Sequence, residues 1–121
     1  MLRLLALPLA LALALSASAQ GTACTSTVEN VAKQVGAEVV FCGTPSGVHA
    51  SHDDGPVYLD FGGKYPDNTF SVVIFSDVAG TDRDGLVKRY SGKAVEVHGE
   101  VKDHKGKPEI VVKSLGDIVV K

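Results

Sequence analysis

The chain has no tryptophan, a single methionine, and only three tyrosines and four phenylalanines among its 121 residues. Any surface that stacks aromatic rings on a ligand must therefore be built from very few side chains. There is no basic excess: Lys and Arg number 12 against 14 Asp and Glu. That balance excludes a domain gripping a polyanion over its whole surface and leaves only a local basic patch for such a role. The two cysteines lack the C-x-x-C spacing of a redox motif, so they are assigned structure and not catalysis. After the first turns of sequence no long apolar run recurs, so no membrane span is expected.

What is present at the start is Arg3, the apolar run 4–15, and then Ala17, Ser18 and Ala19, small residues of a cleavage signal. The run falls well short of the roughly 20 residues a spanning helix needs. The pattern reads as a secretory signal peptide, 1–19, followed by one domain, 20–121, in the periplasm or outside the cell. Gly21, Thr22 and Ala23 before Cys24 offer no lipid-attachment pattern. In an exported chain Cys24 and Cys42 are expected to form one disulfide, closing a loop of about 18 residues for roughly 3 kcal/mol of stability.

Ser26, Thr27, Val28 and Glu29 read as a capping box, and Val28, Val31, Ala32 and Val35 follow at helical spacing, so a short amino-terminal helix is expected before Gly36. Alternating apolar runs then predict five strands, at 39–44 (extendable to 49), 57–61, 70–75, 94–102 and 109–113. Asp82 and Asp84, followed by Leu86, Val87 and Tyr90, place one helix near 84–90, between the third and fourth strands. Gly36, Val39, Phe41 and Gly43 are spaced as Gly92, Val95, Val97 and Gly99 are. The expected core is Val39, Phe41, Leu59, Phe61, Phe70, Val72, Ile74, Val95, Val97, Val101, Ile110 and Val112, with Leu86 or Tyr90 closing one end.

Five strands with a helix between the third and fourth, and the stretches "GAEVVFCG", "YLDFGGKYPDNTFSVVIF" and "YSGKAVEVHGEVKDHKGKPEIVVKSLGDI", resemble small bacterial OB-fold domains of the nucleic-acid-binding type. The resemblance runs from about Gly36 to Ile118. It implies an all-β fold, a five-stranded barrel with minor α structure. It also implies a ligand crossing the second and third strands, held by the loops 48–55 and 103–107.

On that face period-2 alternation leaves Tyr58 and Phe75 as stacking candidates, with Tyr65 beside them, and Lys64, Lys102, Lys105 and Lys107 with His104 as polar contacts. Asp60 shares the outward face with Tyr58 and is expected to repel phosphate. The expected ligand is single-stranded nucleic acid or another anionic oligomer; a protein or a small ligand at the same mouth is the alternative. His49, His52 and Asp53, with His104 facing them, could supply nitrogen and oxygen ligands to zinc or copper. A solvated turn is the simpler reading, and neither metal nor cofactor is expected. Catalysis is not expected either. Ser51, His52, Asp53 and Asp54 are neighbours on one turn rather than groups brought from separate elements. The glycines at 62–63 are too few for a phosphate loop. Arg83 and Arg89 are too few for the carboxylate–arginine cluster of a staphylococcal-type nuclease, and read as surface cations.

Overall fold

The computed structural model describes residues 23–121. The expected signal segment lies outside them. Seven strands, two helices and two 3-10 turns follow one another: β1 (Glu38–Gly43), β2 (Gly47–Ala50), β3 (Val57–Phe61), β4 (Phe70–Ile74), α1 (Ser76–Ala79), α2 (Arg83–Tyr90), β5 (Val95–His104), β6 (Lys107–Val111) and β7 (Ile118–Val120). Among the described residues no helix is long and apolar enough to cross a membrane.

The first expected strand is two strands. Pro45, buried between them, has no N–H to give a ladder, and the chain changes direction at 44–46. Beyond the break Ser46 N donates to the Asp60 carbonyl at 2.7 Å, and β2 runs on antiparallel to β3. The sheet is ordered β1-β5-β6-β4-β3-β2, with β4 and β6 parallel and every other pair antiparallel. Its two ends, β1 and β2, share no ladder and are consecutive in the chain. The sheet is therefore not closed by hydrogen bonds, as the expected barrel would be; its two ends are joined only by the covalent backbone at 44–46. β7, which is too short to show a period in the sequence, adds a seventh strand beside β5, and α1 is a second helix that the sequence did not announce.

All the expected core residues are buried. The rings of Phe41, Phe61 and Phe70 meet at centroid distances of 4.5 to 5.6 Å, and Tyr90 on α2 is wholly enclosed. The helix starts at Asp82, whose carboxylate accepts from Gly85 N at 3.0 Å. The two similarly spaced segments turn out to be partners: in the β1–β5 ladder Val39 faces Gly99, Phe41 faces Val97 and Gly43 faces Val95. Each strand sets a glycine against the other's valine. A Cβ on Gly99 would come within 2.6 Å of Ile110 Cγ2. Close approach therefore requires glycine there, where β5 passes from β1 to β6.

The amino-terminal helix is corrected. Residues 28–30 form a turn, and only a 3-10 turn, Val31–Gln34, follows. The capping box does not form. Ser26 is instead buried in a parallel bridge with Phe41, and Thr27 N donates to Asn30 Oδ1 at 2.7 Å. Of the helical stripe only Val31 is buried; Ala32 and Val35 are exposed. The competing force is β1 itself, whose Val40 carbonyl accepts from Thr25 N and Ser26 N while Cys42 N donates to the Ser26 carbonyl. The expected disulfide Cys24–Cys42 is present, with Cα atoms 5.7 Å apart, and pins this extended strap to the strand. A disulfide belongs to an oxidising environment.

Candidate functional site

Alternation along β3 and β4 sends Val57, Leu59, Phe61, Phe70, Val72 and Ile74 into the core, and so sends Tyr58, Asp60, Ser71 and Val73 to the opposite face. These four floor a groove of about 290 Å³. Tyr65 and Asn68, from the connection 62–69, form one wall; His104, Lys107, Pro108 and Glu109, from the β5–β6 hairpin, form the other, and Phe75 stands at the end of β4. Lys107 Nζ donates to the Pro66 carbonyl at 2.9 Å and ties the walls together.

The register of β2 against β3 puts His49 opposite Tyr58. Their rings stack at 5.1 Å and 20°, and the Tyr65 ring lies tilted beside His49 at 5.3 Å. His49 Nδ1 is 2.8 Å from Asp60 Oδ2, and Ser71 Oγ is 3.5 Å from Asp60 Oδ1. Burial pushes the Asp60 carboxyl above the usual range, while the neighbouring His49 and the hydrogen bond from Ser71 pull it back. Asn68 is buried too, with Nδ2 donating to Ser71 Oγ at 2.7 Å and to the Phe70 carbonyl at 3.3 Å; its Oδ1 has no partner. The groove thus offers stacking faces at its mouth and hydrogen-bond acceptors at its floor.

Of the residues named from sequence, Tyr58, Phe75, His104 and Lys107 line this groove. Lys105 is at the tip of the hairpin, with φ 51°, and does not line it. Lys102 opens onto a separate hollow, beside Glu38, His98 and Glu100, and Lys64 is exposed with its stem near Gly47. The metal candidates are not gathered. His49 is turned to Asp60, His52 and Asp53 are exposed on their own turn, and His104 is exposed on the hairpin 4.0 Å from Glu109. Asp60, expected on the outward face with Tyr58, does face the groove, where it is buried and paired with His49. Its position two residues after Tyr58 was legible; its partner depended on the β2–β3 register. Arg83 is more than a surface cation: its guanidinium donates to the carbonyls of Ser51 and Asp53 and holds the turn at the groove's end of β2. Arg89 lies over the Tyr90 ring, 5.6 Å from its centroid.

No protein-family model and no curated protein matches the chain in sequence. Solved structures do match in shape. Asparaginyl-tRNA synthetase from Pyrococcus horikoshii superposes with a TM-score of 0.54 at 19% identity over 78% of this chain, which spans 22% of the synthetase chain. The OBody AM1L10, solved bound to hen egg-white lysozyme, superposes with a TM-score of 0.57 at 18% identity, covering 84% of this chain and 97% of its own. Identities this low carry the fold alone, and that fold is the OB fold.

Proposed function

We propose that this OB-fold chain is an exported, non-enzymatic module that binds single-stranded nucleic acid or another anionic oligomer across the outer face of β3 and β4. One observation carries the reading: Tyr58, Tyr65 and Phe75 open onto one groove, the latter two 69% and 47% exposed, with the Lys107 cation at its wall. Rings left in water around a strand face suit base stacking, worth roughly 1–3 kcal/mol per base. Asp60, the acidic group of the floor, is itself buried beside His49 and not open to an approaching phosphate chain. The apolar run 4–15 and the disulfide support export. Binding without catalysis is supported by the order of the polar groups. Ser71 and His49 sit on opposite oxygens of Asp60, whereas activation of a hydroxyl requires the imidazole between the two.

The test is fluorescence anisotropy with labelled single-stranded oligonucleotides at low and moderate salt. Phosphate-driven binding should weaken steeply as salt rises, by about 0.7 in the log–log slope for each phosphate neutralised. Absence of binding at low salt would end this reading. The alternative, a protein segment or small ligand with amine or amide donors, is favoured by the acceptor-bearing residues that line the groove, Asp60 on its floor and Asn68, with Oδ1 unpartnered, on its wall. The OBody, which is bound to lysozyme, is a protein of this fold holding a protein.

A further inference from the structure

A second polar cluster lies away from the groove, on the outer face of β1 and β5. Cys42 on β1 faces Glu96 on β5, and Val40 faces His98, so all four side chains leave the sheet on the side opposite Phe41 and Val97. Cys24 reaches the same patch through the strap, and Lys121 reaches it from the end of β7. The two Sγ atoms and a Glu96 carboxylate oxygen all lie within 4.8 Å of one another, the one such convergence of His, Cys, Asp or Glu ligand atoms among the described residues.

Glu96 is unusual for a residue on an outer face. Its side chain is only 9% exposed, and Oε1 has no hydrogen-bond partner. Its other oxygen is 3.2 Å from His98 Nε2, which holds the carboxylate in place beside the sulfurs. Burying a carboxylate oxygen without a partner is costly unless a cation compensates it. A cation is there: Lys121 Nζ lies 3.8 Å from Glu96 Oε1, 3.8 Å from Cys24 Sγ and 3.9 Å from Cys42 Sγ. The ammonium marks a point where positive charge is favoured by all three groups.

We propose that, when the Cys24–Cys42 bridge is reduced, this patch is a zinc site. Cys24, Cys42 and Glu96 are the ligands, His98 positions the carboxylate, and the half-exposed Lys121 withdraws to solvent. The sulfurs of a disulfide are poor metal ligands and thiolates are good ones, so reduction gates the site. In the gating step a dithiol reductant passes two electrons and two protons to the bridge. The S–S bond breaks, two thiols form, and the reductant closes its own disulfide. Zinc then replaces the two thiol protons, which leave to solvent, and two Zn–S bonds form. Two thiolates at about 2.3 Å from one tetrahedral zinc stand about 3.7 Å apart, a small movement for side chains already in contact. A donor set of two sulfurs and one carboxylate suits zinc and excludes calcium and magnesium, which take oxygen. The zinc would keep the strap 24–35 on β1 when the covalent link is open. This inference is independent of the groove.

The experiment uses the purified full chain, oxidised and phosphine-reduced, titrated with cobalt as a spectroscopic stand-in and then with zinc in competition. The reduced chain should take one cobalt with thiolate charge-transfer and tetrahedral visible bands, and the oxidised chain should show neither. Glu96→Gln should weaken zinc binding by at least ~10-fold, and His98→Phe by ~10–100-fold, as loss of a ligand's support does. Lys121→Ala should tighten it. Equal cobalt spectra in both redox states, no charge-transfer band on reduction, or a Glu96→Gln affinity equal to wild type would overturn the proposal. If reduction unfolds the chain, recovery of the folded circular dichroism on adding zinc supports the site, and failure to recover overturns it.

Discussion

Asp60, 2% exposed, rests with a carboxylate oxygen 2.8 Å from His49 Nδ1. The pair joins β3 to β2 on the floor of the groove, and it has a consequence for pH. Burial raises the Asp60 pKa on folding, so the folded chain holds that proton to higher pH than the unfolded chain does. Stability contributed in this way is fully present below the unfolded value, about 3.9, and is lost as pH rises through the folded value. Melting temperatures of Asp60→Asn relative to wild type should therefore rise as pH climbs from below about 3.9 toward neutrality. A difference that stays flat over that range would contradict the assignment.

The exposed rings should matter for the ligand and not for the fold. Tyr65→Ala and Phe75→Ala should each weaken oligonucleotide binding by roughly 1–3 kcal/mol. Val35→Ala, exposed on the strap about as much as Phe75, should leave binding unchanged. Lys107→Glu should cost more than Lys33→Glu and should flatten the salt dependence, whereas a common loss for both lysines would indicate only a net-charge effect.

Tyr90 is fully enclosed with its hydroxyl unpartnered, and burial raises its pKa. Removing that oxygen removes an unsatisfied group and leaves the packing intact. Tyr90→Phe should be as stable as wild type or more so by up to ~1 kcal/mol, while Tyr90→Ala should lose ~3–5 kcal/mol. Chemical denaturation separates the two, and a marked loss in Tyr90→Phe would point to a bond the hydroxyl makes.

Gly99→Ala should cost about 1–3 kcal/mol, because its methyl group meets Ile110 Cγ2. The loss should fall short of additive in Gly99→Ala combined with Ile110→Ala, where the obstructing methyl group is gone. Full additivity in denaturation would mean that the two positions do not touch.

The core was legible because period-2 alternation assigns faces without knowledge of the ladder, and Tyr58 and Phe75 were legible by the same rule, whereas Lys107 came from the loop that the OB-fold resemblance implied. Lys105 was not, since its left-handed backbone at the hairpin tip turns it away from the groove. The His49–Asp60 pair was hidden because it follows from the β2–β3 register, which begins at the break around Pro45. At 28–35 the helical spacing misled. The bridge from Cys24 to Cys42 and the backbone of β1 captured residues 24–26 as extended chain, leaving only a turn and a 3-10 turn for 28–34, so tertiary pairing outweighed a weak local preference. β7 lay in three residues of "IVV", with no room for a pattern.

The run from β1 to β2 belongs to both ends of the sheet, and its two halves have very different histories during folding. β2 meets β3 a few residues on, as Ala50 with Val57, so that hairpin closes a short loop. β1 must wait for β5, since Glu38 pairs with Glu100 across most of the domain. Long-range pairing is slow relative to hairpin formation. Pulse-labelled amide exchange should find β2–β3 protected first and β1–β5 last; the reverse order would sink this sequence of events. A single stretch of chain would then both start the assembly and complete it.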